Sequence, residues 1–214
     1  VVTAIGPVEE APSSSYVNHV EDARGCIVVP GFINLHQHHW YTLLRGLSVG
    51  LYLEDWMTAV LSPAAAVLEV EDQLVSMQLA AAEMLSSGTT TFFNHSVTET
   101  SADFVHRLAE VSKRTGIRQV YGKEVRATGG APLSEAEALA AAFPMSAGSM
   151  FSVALAIETG EHWITTGAMT SELAHDVARL SSSHNLRVST HVTGGTVFRS
   201  VADFRRRTQL GEVE

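Results

Sequence analysis

Two histidines separated by one residue, His36 and His38 in FINLHQHHW, are the first residues of this chain whose types and spacing point to chemistry. The run is rich in Phe, Ile and Leu and reads as a strand, on which residues two apart leave the same face. Their imidazoles can therefore converge on one metal ion, while His39 points to the other side. Imidazole is a favoured ligand for zinc, iron and nickel, and a pair on a rigid strand loses little entropy on binding. Alone, such a pair also suits plain polar surface. A third histidine, His191, ends the later run RVSTHV, and histidines at the ends of two strands on one rim favour a metal site over that alternative. His95 in FFNHS and Glu158 and His162 in AIETGEHW fall at or just past other strand ends, where each is a candidate for substrate contact. Trp40 and Tyr41 offer flat faces for a ring, or for packing. No residue declares itself as the proton carrier.

The elements that must position these residues alternate regularly. Apolar, β-type runs occur at 32–38, 89–96, 118–125, 150–159 and 187–192, with helical spacing of apolar residues in the stretches between them. DQLVSMQLAAAEMLSSG places Leu74, Met77, Ala81 and Met84 at helical intervals and stops at Gly88. A helix from near Ser171 puts Leu173, Val177 and Leu180 on one face, with Glu172 in its first turn where the dipole favours an anion. Such alternation predicts α/β architecture and a parallel sheet. Helices of this kind suit the outer layer of a (β/α)8 TIM barrel, of which about five βα units are present. Residues 1–28 are short, mixed and turn-rich, a segment apart from the barrel portion at 29–214. The chain starts at Val1 and stops at Glu214 in a charged stretch, and we expect it to be a piece lacking about three barrel units.

Composition narrows the function classes. A net charge of -9 without a Lys/Arg-rich cluster gives no footprint for nucleic acid, whose binding rests on phosphate neutralisation. Arg205, Arg206 and Arg207 read as a solvated helix face. Every apolar run is broken short of the roughly 20 residues that a spanning helix needs, so no membrane role is expected. With one cysteine, Cys26, and neither a basic n-region nor an apolar h-region at the start, the expected location is cytoplasmic.

Four stretches together carry a resemblance: VPGFINLHQHHWYTLLRGL, AAAEMLSSGTTTFFNHS, GIRQVYGKEV and SELAHDVARLSSSHNLRVSTHV. From about residue 21 onward the chain resembles the amidohydrolase superfamily, within it the chlorohydrolase and deaminase branch that acts on triazines, purines, pyrimidines and related heterocycles. The resemblance implies a metal-dependent hydrolase barrel beside a small β-sandwich built from both chain ends, of which residues 1–28 would be a remnant. It implies that His36, His38 and His191 are three ligands of one divalent transition metal, zinc first and iron second. A fourth histidine and an aspartate would come from later strands. The reaction implied is attack of a metal-activated water on an electrophilic ring carbon of a small heterocyclic substrate, with loss of ammonia or another leaving group. Tyr41 stands where many relatives carry a polar, substrate-contacting residue. Other branches of the superfamily use a carboxylated lysine, but Lys123 lies on the third strand, which argues against it here.

One departure is evident. These aminohydrolases usually carry a glutamate three residues after the fifth-strand histidine, and here that residue is Gly194. Two rivals to heterocycle deamination therefore stay open: hydrolysis of a cyclic or linear amide, and a non-catalytic truncated half-barrel that pairs through its open sheet edges, in itself a route to a homo-oligomer. His19, His106, His175 and His184 sit in loop or helix contexts and are expected to be solvated or capping.

Overall fold

The computed structural model describes residues 2, 4–12, 17–51, 53–96, 101–126, 133–157 and 170–191. The chain divides into two compact units, Val1–Pro30 and Gly31–Glu214. In the first, the described residues form a short 3-10 turn at Val8–Glu10 and are otherwise irregular.

The second unit is built on five parallel strands: β1 (Phe32–Gln37), β2 (Thr89–His95), β3 (Arg118–Val125), β4 (Phe151–Ile157) and β5 (Val188–Thr190), in sheet order β1-β2-β3-β4-β5. Four helices intervene: α1 (Val70–Ser86), α2 (Ala102–Thr115), α3 (Leu133–Ala142) and α4 (Ser171–His184). Strand order follows chain order, as successive βα units on one sheet require. After β1 come a 3-10 helix, His39–Leu44, and then a helical run at 53–65 with a π-helical turn at Met57–Leu61. Within HWYTLL, His39, Trp40 and Thr42 are buried.

Helix ends obey local chemistry. Ser101 Oγ accepts from the Phe104 N–H at 3.3 Å at the start of α2, and Thr170 Oγ1 accepts from Leu173 N–H at 3.1 Å at the start of α4. Gly88, just past α1, takes φ +85°, the left-handed turn into β2 that glycine adopts at no steric cost.

The two faces of the sheet differ. Phe92, Tyr121, Phe151 and Val153 point outward into one apolar cluster with Leu74, Met77 and Met84 of α1 and Phe104, Val105 and Leu108 of α2. Val125, Leu155 and Ile157 enter a second with Ala136 and Ala140 of α3 and Ala174, Val177 and Leu180 of α4. Alternation then sends Phe93, His95, Gly122, Glu124, Ala154 and Ala156 to the inner face. Gly122 shows how crowded that face is: a Cβ there would lie 2.8 Å from the Phe93 ring and 3.2 Å from Ala156 Cβ. Four strand spacings of about 4.8 Å would separate β1 from β5 in a flat sheet. Yet Nε2 of His38, at the end of β1, lies 3.1 Å from Nε2 of His191, just past β5. The sheet is therefore curled into a half-barrel with these residues inside.

Candidate metal centre

His36 is on the inner face of β1, and His38 follows the strand in extended backbone, φ -116° and ψ 97°. His191 follows β5. One ring nitrogen from each lies within 4.8 Å of the other two. The His36 ring meets those of His38 and His191 edge-on at centroid distances of 4.9 and 5.1 Å, while His38 and His191 stack at 5.1 Å. Three donors spaced two apart on one strand and at the end of another thus meet at one point.

Hydrogen bonds decide which nitrogen of His38 faces inward. Its Nδ1 lies 2.7 Å from the His95 carbonyl, which can only accept, so Nδ1 carries the hydrogen and Nε2 keeps a lone pair. The Nε2 atoms of His38 and His191 lie 3.1 Å apart. That spacing suits a shared cation: two imidazoles on one tetrahedral zinc, each at about 2.0 Å, put their nitrogens about 3.3 Å apart. Burial lowers the His38 pKa to about 3, reinforced by His191, His95 and His36 in that order and opposed by the bond to the His95 carbonyl. His38 is accordingly neutral near pH 7, the form that ligates. The donor set fits a divalent transition metal.

The other sequence candidates are distributed around this point. His95, at the end of β2 and almost wholly buried, has its ring 4.0 Å from that of His191 and 5.4 Å from that of His38. Tyr41 stacks on His38 at 4.5 Å and meets Trp56 edge-on. Trp40 is buried beneath it, 1% exposed, with its ring 4.6 Å from Tyr41. Glu158 and His162 lie outside the described residues, as do Gly194 and Arg205–Arg207. Lys123 points outward, away from the cluster, and its Nζ donates to Glu135 of α3 at 3.1 Å. His106 packs on Phe143, His175 Nδ1 contacts the Ser171 carbonyl and His184 faces Glu137.

Sequence reasoning passed over two features. Glu124 and Arg126 form an ion pair at 2.7 Å near the end of β3, with Glu124 on the inner face two residues beyond Gly122. Their i, i+2 spacing on a strand that ends at the rim was the available signal. Asn94, one residue before His95, is fully buried on the outer face and bonded to His39. An isolated Asn in a strand gives no comparable cue.

A curled parallel α/β sheet with imidazoles gathered inside the C-terminal ends of its strands defines a metal-dependent barrel hydrolase type of architecture. Residues 27–214 match the family model described as the amidohydrolase family, and the chain belongs to that family. A 5-methylthioadenosine/S-adenosylhomocysteine deaminase of Syntrophobacter fumaroxidans is 37% identical over 57% of this chain and 26% of its own length. One from Thermococcus kodakarensis is 33% identical over 81% of the chain and 39% of its length. The chain thus spans well under half of these relatives. Among solved structures, a zinc-bound adenosine deaminase from Xanthomonas campestris superposes with a TM-score of 0.64 at 25% identity, over 83% of this chain and 38% of that one. An atrazine chlorohydrolase variant from Arthrobacter aurescens, complexed with zinc and atraton, shares the fold at a TM-score of 0.68 and 16% identity, over 84% and 46%.

Proposed function

We propose that this chain carries the metal-binding part of an aminohydrolase that releases ammonia from a nitrogen heterocycle. The observation behind it is the convergence of His36, His38 and His191 from β1 and β5 on one point inside the half-barrel. Zinc is the proposed ion, on the strength of the imidazole donors and the zinc in neighbouring structures. When bound, such an ion supplies the Lewis acidity that makes water a nucleophile near neutral pH.

The chain's own residues do the rest. His38, tied to the His95 carbonyl, presents Nε2 in a fixed direction. Tyr41, stacked on His38, and His95, beside His191, flank the cluster and are proposed to hold the flat substrate over it. Trp40 backs Tyr41 from beneath, and Glu158 and His162 remain candidates for substrate contact. Glu124, held by Arg126, is a carboxylate on the inner face able to accept an N–H from a heterocycle. Gly194 keeps hydrolysis of a cyclic amide as a second reading, because it removes the glutamate expected near His191. The relatives' names make 5′-modified adenosines the first substrates to try. The setting proposed is cytoplasmic, with no nucleic-acid partner; among the described residues no helix is long and apolar enough to cross a membrane.

The test is ammonia release by the whole protein on a panel of adenosine derivatives, guanine, triazines and cyclic amides, with metal analysis of the same sample. Ammonia from an aminated heterocycle is the expected result. Turnover of cyclic amides alone would move the assignment to the second reading, and under about 0.2 equivalents of transition metal per chain would sink the ligand assignment.

A further inference from the structure

The residue directly after a proposed ligand is held far more tightly than its neighbours. His39 is fully buried on the outer face of the sheet. Its backbone N–H donates to Asn94 Oδ1 at 3.3 Å, and its Nδ1 lies 3.1 Å from the same oxygen. A backbone N–H can only donate, which settles the orientation of the amide, so the Asn94 oxygen accepts both bonds and Nδ1 of His39 carries its hydrogen. The His39 carbonyl accepts from Ser76 Oγ of α1 at 2.7 Å. Two bonds, one from β2 and one from α1, therefore fix the peptide groups on either side of His39, and a third fixes its ring.

The next residue of β2 acts from the other side. The His95 carbonyl accepts from His38 Nδ1 at 2.7 Å. Residues 94 and 95 of β2 thus grip residues 39 and 38 of the first strand's end, one through the backbone and one through the ring. Here the chain leaves extended geometry at His38 and enters the His39–Leu44 helix. The bond to the His95 carbonyl and the contacts with Tyr41 and His191 set the His38 ring, and the fixed peptide at that corner sets where its Cα–Cβ bond starts.

We propose that Asn94 is a positioning residue of the metal centre: its side-chain oxygen, with Ser76 opposite, sets the backbone of His39 and through it the direction in which His38 presents Nε2. Asn94 touches neither metal nor substrate. Its effect falls on metal affinity and coordination geometry, in the manner of outer partners that orient ligating imidazoles. A clamp that merely tied β1 to β2 would change stability and leave both untouched.

The inference rests on the proposed metal site, and the experiment separates the two. In the whole protein, zinc affinity is measured by competition with a chromophoric chelator, and cobalt(II) spectra report geometry, for wild type, N94A, N94D and S76A. Circular dichroism of each metal-free variant checks folding. N94A is expected to bind zinc about 10–100-fold more weakly and to shift the cobalt band, and N94D, which keeps an acceptor oxygen, to recover most of the affinity. A folded N94A with wild-type affinity and spectrum overturns the proposal. Should N94A not fold, S76A decides: weakened zinc binding supports the clamp, and unchanged binding overturns it. A wild-type protein that binds neither ion would instead overturn the metal site itself.

Discussion

β1 and β4 belong to the same sheet and live in opposite environments. All seven residues of β4 are buried, Phe151 and Val153 in the cluster under α1 and α2, Leu155 and Ile157 in the one under α3 and α4, and the inner ones, such as Ala154 and Ala156, small enough to lie against the lumen. Along β1, within these five strands, Phe32, Ile33 and Leu35 are 61%, 64% and 77% exposed. Yet β1 and the residue just past it supply His36 and His38, and β4 contributes no described ligand. The difference teaches that, among the described residues, the side chains that pack the outer layer and those that gather at the ion-holding point lie on different strands.

The sharpest way to break that comparison is to exchange the two kinds of damage. Leu155→Ala, which removes a wholly buried side chain from the α3/α4 cluster, is expected to cost about 2–5 kcal/mol in denaturant unfolding. Zinc affinity of the molecules that stay folded should be little changed. His36→Ala should do the reverse: a zinc dissociation constant raised more than about 100-fold, beyond what outer partners cost, with unfolding of the metal-free protein hardly moved. Equal loss of stability from both variants would erase the distinction.

Acid should weaken the folded state through the buried histidines. Burial lowers the pKa of His38 to about 3 and that of His39 to about 4, the latter partly offset by the bond to Asn94. Both groups take up protons in the unfolded chain near pH 6.5 and resist them when folded, so the unfolded state binds more protons as pH falls. Their contribution is complete above about pH 6.5 and is lost progressively toward pH 4 and then 3. Thermal unfolding of the metal-free protein from pH 7.5 to 4 should show a falling midpoint, less steep in a His39→Gln variant; a flat profile would contradict the burial of these rings. The smallest effect expected is at the surface. Arg45 pairs with Glu83 of α1, but both side chains are at least half exposed, and Arg45→Ala should change stability by no more than about 1 kcal/mol.

Much of this was legible in the sequence because local composition and spacing carried it. Runs rich in Val, Ile, Phe and Thr located the five strands to within a residue or two, and the spacing of Leu74, Met77, Ala81 and Met84 located α1 with its Gly88 stop. The HxH spacing put His36 and His38 on one side and His39 on the other, as the structure has them. What stayed hidden depends on contacts between distant residues. Asn94 draws its importance from residue 39, and the Glu124–Arg126 pair draws its own from the curl that turns the inner face of β3 toward the lumen. No local pattern encodes that curl. HWYTLL likewise has no full helical period to announce its 3-10 turn, in which His39, Trp40 and Thr42 are buried.

The contact between His38 and His191 spans 153 residues and joins the strands at the two ends of the sheet order. During synthesis, neighbouring strands can add one after another as they leave the ribosome, but the three-imidazole cluster cannot exist until residue 191 has been made. The ion-holding point thus depends on a segment 153 residues beyond His38, and a chain stopped before residue 191 would carry only the His36 and His38 part of it.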